Sequence, residues 1–580
     1  MIETKGLTGA EAFLRVLAGM GVDRIFASPG SEWSPVWEAI AKAKAESEGV
    51  PLYLSSRHEE IAVGMASGYA KASGKLPAVM IHTTVGSLHA AMALRAALHE
   101  QVPMVIFTGE SIAFGEDEGP DPGGQWLRFL ADVGGPARLV QSCVKWSFGV
   151  NTMAVLPATI QRACQLAMAV PKGPTFVSVP MEFLFEKMAA KGLPTASLPV
   201  SATADPKGIE ELATLLAEAK NPVIISEESG RSLAIVSRTI ELAELIGAPV
   251  VETRSSGFLN FPRNHPLHGG FNPNEYFPEA DLILLLSAVA PWHPPSAGPG
   301  DGVKVVALDE NPLHPDLPFW GFKTDLCLTG DVESSLEILL EHLRKRVSKS
   351  DSERAQRRER LSKRNEERRR LWQEQALAQK ERKPIDTRWV VHELNQVLPA
   401  DAMVVEETIT HRLAIHHHLD RVKPGSFFAG SAGGLGTGLG TALGVKAAAP
   451  KQPVICLIGD GSFNYDPGLA ALGFCQEYGM PILIVLFNNL GYLSMKAGVP
   501  KYYPEGWAMR TKTFVGTSIA PSPDYAAIAR AFDGYGEKVE EPGEVRGALE
   551  RGLRAVASGQ VALLDVRLQP VSETEKRSDR

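Results

Sequence analysis

Residues 454–491 read VICLIGDGSFNYDPGLAALGFCQEYGMPILIVLFNNLG. Val454 to Ile458 is an apolar run with the length and β-branched content of a buried strand, and it ends in Gly459-Asp460-Gly461-Ser462. Pro467 to Tyr478 reads as a helix. A second apolar run, Pro481 to Phe487, ends in Asn488-Asn489. The stretch is a strand–helix–strand unit whose strands both close on residues able to ligate a metal. Ligands of open α/β sheets bind outside the carboxyl ends of the strands. Asp460 offers a carboxylate, Asn489 an amide oxygen and Ser462 a hydroxyl, while Gly459 and Gly461 let the backbone approach closely. Mg²⁺ takes oxygen ligands in an octahedron, few of them from protein, and fills its shell with phosphate and water. The residues suit a magnesium-bound diphosphate. A Gly-Asp-Gly turn and an Asn pair closing a strand is the plainer alternative for either half alone.

The rest of the chain sets the bounds. Its 580 residues are too many for one domain, and 44% apolar with 22% charged residues is ordinary for globular protein. A net charge of −8 gives no electrostatic case for nucleic acid. No apolar run approaches the length of a membrane span, and MIETKGLTGAEAFLRVL is charged and amphipathic rather than a signal peptide. Five scattered cysteines, mostly inside apolar runs, favour buried thiols in a reducing compartment, hence a cytoplasmic protein.

Working outward from the motif, strand and helix patterns alternate through three regions, each implying a parallel sheet with helices on both faces. We expect three doubly wound α/β domains, over 1–188, 205–343 and 386–570, with a charged helical linker over 344–385. In the first, Thr8 and Glu11 form a capping box pattern before a helix to Met20. Strands at Val22–Ala27, Leu52–Leu54, Val79–His82, Met104–Thr108 and Phe176–Pro180 follow. The first ends in Ser28-Pro29-Gly30-Ser31, and Arg57-His58-Glu59-Glu60 opens a helix rich in small residues. Residues 189–206 form a Pro/Ala/Ser-rich linker. In the charged run RRERLSKRNEERRRLW glutamates interleave with arginines, which points to a solvated helix rather than a nucleic-acid patch. The tail SETEKRSDR is polar and expected to be disordered.

Gly459-Asp460-Gly461 and Asn488-Asn489, with 26 residues between Gly461 and Asn488, resemble the GDG…NN signature of thiamine diphosphate enzymes. With HEEIAVGMASGYAKASGK, where Glu59 lies ten residues before Tyr69, the chain resembles the thiamine diphosphate-dependent decarboxylase and carboligase superfamily along nearly its whole length. The resemblance implies pyrimidine-binding, middle and pyrophosphate-binding domains in that order. It also implies an obligate homodimer, commonly a homotetramer, with each site shared between two chains. Glu59 would hydrogen-bond the cofactor's aminopyrimidine and promote loss of the thiamine C2 proton. Asp460, Asn489 and the Gly491 carbonyl would hold Mg²⁺.

SAGGLGTGLGTALGVKAAAP (431–450) followed by GDGSFNY is most similar to the benzoylformate decarboxylase type. By that resemblance Leu435 bends the cofactor, Gly433 and Leu435 bond its aminopyrimidine through the backbone, and Gly461, Ser462, Thr410 and Tyr492 contact the diphosphate. Ser31 matches a serine on the substrate carboxylate, His82 a proton-transferring histidine and His293 a second active-site histidine from the middle domain. Ser494 and Met495 fall where the substrate pocket is shaped. The implied reaction is decarboxylation of a small-molecule 2-keto acid through an enamine, with no nucleic acid or membrane partner. Departures leave the substrate open. His58 before Glu59 is the acetolactate synthase residue, and His89 and His416-His417-His418 have no counterpart. The triplet is expected to face solvent in part. An acetolactate synthase-type carboligase, a 2-hydroxyacyl-CoA lyase and a non-catalytic cofactor-binding subunit are the alternatives.

Overall fold

The computed structural model describes residues 6–571 apart from 113–120, 122–126, 129, 131, 189–192, 194–195, 319, 348–351, 421–422 and 431–432. Six of the eighteen residues of the linker expected at 189–206, and the tail at 572–580, therefore lie outside the described residues.

The N-terminal sheet has strands β1 (Arg24–Ser28), β2 (Leu52–Ser55), β3 (Ala78–Ile81), β4 (Met104–Glu110), β5 (Trp146–Gly149) and β6 (Pro174–Pro180), in the order β2-β1-β3-β4-β6-β5. The middle sheet has β7 (Pro222–Ser226), β8 (Val250–Glu252), β9 (Leu282–Leu286), β10 (Lys304–Asp309) and β11 (Leu326–Thr329), in the order β8-β7-β9-β10-β11. The C-terminal sheet has β12 (Met403–Glu407), β13 (Phe427–Ala429), β14 (Val454–Gly459), β15 (Leu483–Asn488), β16 (Tyr535–Val539) and β17 (Ala562–Arg567), in the order β13-β12-β14-β15-β17-β16. Every pairing in these three sheets is parallel. Strands such as Leu282–Leu286 are apolar throughout and wholly buried, because helices cover both faces.

The three sheets share one winding. In each, the chain passes from its first strand to a neighbour on one side, and the third strand then pairs on the other side. That reversal opens a crevice at the carboxyl ends of β1 and β3, of β7 and β9, and of β12 and β14. Ser31 and His82 lie just past the ends of the first pair. Thr410 and Asp460 lie past the third.

Helices follow local rules. α1 (Gly9–Gly19) is closed by the capping box of Thr8 and Glu11. α2 (Glu59–Ser73) starts on His58, whose ring accepts the Glu60 N–H at 3.2 Å, and stops at Gly74 with φ of 71°. Thr83–His99 forms α3. The linker helix α4 (Ser352–Leu377) forms as the charge pattern suggests, but it is less solvated than expected. Its arginines reach the middle domain. Arg357 donates to the Gly247 carbonyl at 2.9 Å and to Ile246, and Arg368 pairs with Glu275 at 2.7 Å. Long arginine stems deliver donors to carbonyls left open at a helix carboxyl end.

In the C-terminal domain α5 (Thr387–Val397) and α6 (Arg412–His418) precede α7 (Gly438–Ala448). One apolar core runs across the N- and C-terminal domains, and each has a second core of its own on the other face of its sheet. The centre of the shared core is the crossing of α2 and α7, where backbone meets backbone. A Cβ on Gly64 would lie 3.0 Å from Gly440 Cα, and one on Gly68 would overlap the Thr441 carbonyl oxygen. Only glycine permits this approach. It brings the amino end of α2 against the loop before α7, with Glu60 beside Gly436.

Candidate active site

The C-terminal half of the site is built on strand ends. β14 stops at Gly459 and the next turn carries Asp460, 2% exposed; β15 stops at Asn488, followed by Asn489, 4% exposed. The Gly491 N–H donates to both Asp460 Oδ2 (3.0 Å) and Asn489 Oδ1 (3.2 Å), so the two oxygens converge. His411 fixes the amide. Its Nε2 accepts from Asn489 Nδ2 at 3.3 Å, while its Nδ1 meets Thr387 Oγ1 at 2.8 Å. Asn489 Oδ1 is thereby turned toward Asp460. Burial pushes the Asp460 carboxyl up to about 6, with the Gly461 and Gly491 N–H groups opposing. An all-oxygen donor pair around a buried carboxylate fits a hard divalent cation such as Mg²⁺.

These residues line a concavity with Thr410, Leu435, Gly461, Ser462, Tyr492 and Ser494. It holds about 40 Å³, far below the roughly 300–1,000 Å³ of a site that encloses a ligand alone. All of the lining comes from the C-terminal domain. Gly433, with φ of 69°, precedes Leu435 on the same loop but is not part of the lining, and Met495 is 53% exposed beside it. Glu407, at the end of β12, anchors that loop by accepting from the Gly436 (2.9 Å), Thr437 (3.4 Å) and Gly438 (2.8 Å) N–H groups.

The N-terminal half lies at the first crevice. Glu59 opens α2 with its side chain 12% exposed, and His89 Nδ1 approaches Glu59 Oε2 at 3.3 Å. The rings of His58 and His89 stack at 5.3 Å. Among the described residues, His58, Glu59 and His89 are the one group whose ligating atoms lie within 4.8 Å of one another. His82 caps α3 past the end of β3. Its Nδ1 lies 2.9 Å from both carboxylate oxygens of Glu32, a wholly buried acid next to the exposed Ser31. The carboxylate can only accept, so Nδ1 carries the proton, and this hydrogen bond raises the His82 pKa against the effect of burial. Trp33 Nε1 donates to the Ile81 carbonyl at 3.0 Å and ties the Ser31 turn to β3. Gly30 is required here, since a Cβ would overlap His82 Nδ1 and the Glu32 carboxylate.

The structure thus groups Ser31 with His82, and Asp460 with Asn489, Gly491 and the diphosphate candidates. His293 is exposed on the loop after β9, and among the described residues no hydrogen bond, ion pair or ring contact joins it to Ser31, His82 or Glu59. Glu32, Glu407 and His411 were not singled out from sequence. An acid directly after Ser31 and an acid closing β12 were the available signals. The histidine triplet faces solvent in part, as expected, but only through the half-buried His417; His416 and His418 are buried, with Arg263 and Phe271 of the middle domain packed on His416.

Three models of thiamine pyrophosphate enzyme domains match the chain: the N-terminal TPP binding domain over 7–121, the central domain over 209–339 and the C-terminal TPP binding domain over 409–566. The chain is 27% identical to benzoylformate decarboxylase of Pseudomonas aeruginosa, covering 97% of this chain and 98% of that one. It is 25% identical to acetolactate synthase isozyme 3 large subunit of Escherichia coli, over 97% of this chain and 94% of the other. The crystal structure of benzoylformate decarboxylase from Polynucleobacter necessarius superposes with a TM-score of 0.78 at 22% identity, over 98% of this chain and all of that one, a likeness of fold alone.

Proposed function

Because the chain belongs to the thiamine pyrophosphate enzyme family, as a thiamine diphosphate-dependent decarboxylase or carboligase, we propose that it decarboxylates a 2-keto acid, benzoylformate-like or aliphatic, with Mg²⁺. When bound, thiamine diphosphate supplies the carbon nucleophile and the electron sink for the departing carboxylate. The protein's own groups do the rest. Asp460, Asn489 and the Gly491 carbonyl would hold the metal, and Thr410, Gly461, Ser462 and Tyr492, which line the same concavity, would contact the diphosphate. Gly433 and Leu435 present backbone groups to the aminopyrimidine. Glu59 hydrogen-bonds that ring. Ser31 holds the substrate carboxylate by its hydroxyl. His82, whose pKa the hydrogen bond to Glu32 raises, would deliver a proton to the carbon that lost CO₂. His293 serves from the middle domain, and Ser494 and Met495 shape the substrate side.

The observation that carries this reading is the Glu32–His82 pair: a proton donor set beside Ser31 suits release of product by protonation rather than capture by a second carbonyl. The shallow C-terminal concavity, with Glu59 outside its lining, supports a site completed by a second chain, in a homodimer or homotetramer. Among the described residues no helix is long and apolar enough to cross a membrane, and all five cysteines are unpaired, which supports a reducing, cytoplasmic setting. The test is CO₂ and aldehyde release from benzoylformate and aliphatic 2-keto acids with Mg²⁺ and cofactor. No turnover of any of them rejects the proposal. His58 before Glu59 favours a second reading, carboligation, which predicts 2-hydroxy ketone formation once an acceptor carbonyl is added.

A further inference from the structure

Two buried carboxyls meet beneath the loop that carries Gly433 and Leu435. Glu407 accepts the Gly436 and Thr437 N–H groups at Oε1 (2.9 and 3.4 Å) and that of Gly438 at Oε2 (2.8 Å). Asp466 follows the short helix Asp460–Tyr465 and accepts the Leu439 N–H at Oδ1 (3.1 Å). The two side chains are also hydrogen-bonded to each other. Both residues are buried, and among the described residues no Lys, Arg or His side chain donates to either.

Two ionised carboxylates cannot hydrogen-bond, since each only accepts. One of the pair holds a proton, and the donors decide which. Both oxygens of Glu407 are taken by loop N–H groups, which favour the anion. Asp466 meets one N–H, at Oδ1, and its buried Oδ2 meets no donor. Ionised, that oxygen would be a buried charge without a partner; as a hydroxyl it is a donor with Glu407 to accept it. Electrostatics run the same way. Burial, then the Glu407 charge, pushes the Asp466 carboxyl well up, while the three loop N–H groups oppose the effect of burial on Glu407. The other titratable groups around the pair are Glu60 of α2, Cys456 of β14 and Glu406, which pairs with Arg412 at 2.7 Å.

We propose that Asp466 is a positioning residue for the cofactor: protonated at Oδ2, it donates to Glu407 and ties the turn that begins with Asp460 to the loop bearing Gly433 and Leu435. The metal side and the aminopyrimidine side of the C-terminal domain are then joined through one proton. The loop is also gripped from outside, since a Cβ on Gly436 would lie 2.9 Å from the Tyr465 carbonyl oxygen and 3.2 Å from Glu60 Oε1. Without the proton two buried anions would face each other, and the loop would be pushed from its place. What the tie does for the cofactor rests on the role proposed above for Gly433 and Leu435.

The test is calorimetric titration of the full chain with thiamine diphosphate at saturating Mg²⁺. Asp466→Ala removes the donor to Glu407 and the acceptor for Leu439, and should weaken binding by about tenfold or more, the usual effect of losing a hydrogen bond to a charged group. Asp466→Asn should rescue affinity to within about twofold of wild type, because its Oδ1 still accepts from Leu439 and its amide donates where the proton was. Glu407→Gln should bind as weakly as Asp466→Ala, since its amide turns a donor toward the loop N–H groups. Infrared absorption reads the proton itself and still decides if Asp466→Ala or Glu407→Gln fails to fold. In chains that both carry Glu60→Gln, adding Asp466→Asn should remove the carbonyl band of one buried carboxylic acid at neutral pH. No such loss overturns the proposal. So does wild-type affinity in Asp466→Ala, or an Asp466→Asn chain that binds as weakly as Asp466→Ala. Wild-type affinity in Glu407→Gln overturns it as well, because the proton would then sit on Glu407. A wild-type chain that binds thiamine diphosphate but releases no CO₂ from any 2-keto acid rejects the decarboxylase reading and leaves the role of Asp466 standing.

Discussion

His82 holds a proton more tightly because of a residue fifty positions earlier. Glu32 is buried, accepts from His82 Nδ1 at 2.9 Å and raises the imidazole pKa. A histidine that must donate a proton is active below its pKa, so activity falls as pH rises through that value. Glu32→Gln removes the carboxylate and leaves burial, which lowers the pKa. The basic limb of the kcat–pH profile should therefore move to lower pH, with the acidic limb unchanged; an unmoved basic limb removes His82 as donor. Glu60 gives a second prediction. Burial, with the Glu407 charge adding to it, holds its carboxyl up to about 7 against an ordinary 4.5. The folded state then keeps a proton that the unfolded state has lost. Glu60's share of stability is full below about pH 4.5 and is lost as pH rises through about 7. Melting temperature across that window should decline less steeply in Glu60→Gln than in wild type; parallel curves would reject the assignment. Asp460 and Asn489 were legible in the sequence because a strand end exposes its residues to the crevice whatever else surrounds them. Glu32 and His411 were not, since their partners lie 50 and 78 residues away and no local pattern encodes that distance.

At the scale of elements, the strands expected from apolar runs end within a residue or two of those observed, while Trp146–Gly149, Leu326–Thr329, Met403–Glu407, Phe427–Ala429, Tyr535–Val539 and Ala562–Arg567 were not expected. What the pattern could not convey was how α4 sits. Interleaved Glu and Arg read as a face turned to water, yet arginine stems lie along protein while their heads find carbonyls such as that of Gly247. The same limit hid the burial of His416, on which Arg263 and Phe271 of the middle domain pack. The small residues of α2 were visible, and their purpose is the crossing with α7. Gly68→Ala tests it. In an open helix alanine would stabilise by about 1 kcal/mol relative to glycine. Here the new Cβ overlaps the Thr441 carbonyl oxygen, which is backbone and cannot swing aside. We expect net destabilisation of about 1–3 kcal/mol in denaturant unfolding, the usual range for overpacking. A more stable variant would show that the two helices separate freely.

The whole molecule repeats one winding three times, and that repetition was legible because parallel strands buried on both faces leave near-continuous apolar runs. The assembly was not legible from physical pattern. It rested on resemblance, since a surface meant for a second copy looks like any other surface in one chain. Complementation decides it. Glu59→Gln should leave cofactor binding intact and slow turnover by about 10²–10⁴-fold, the usual contribution of a positioned acid or base. Asp460→Ala should slow turnover by weakening metal binding. Suppose each site joins Glu59 of one chain to Asp460 of its partner. A mixed dimer of the two variants then contains one site with both defects and one with neither. Random pairing of equal amounts makes half the dimers mixed, so refolding or co-expressing two inactive chains should restore about a quarter of wild-type activity. If both residues came from the same chain, every site would keep one defect and mixing would restore nothing. The concavity of about 40 Å³ around Asp460, lined only by its own domain, is the reason to expect the first outcome.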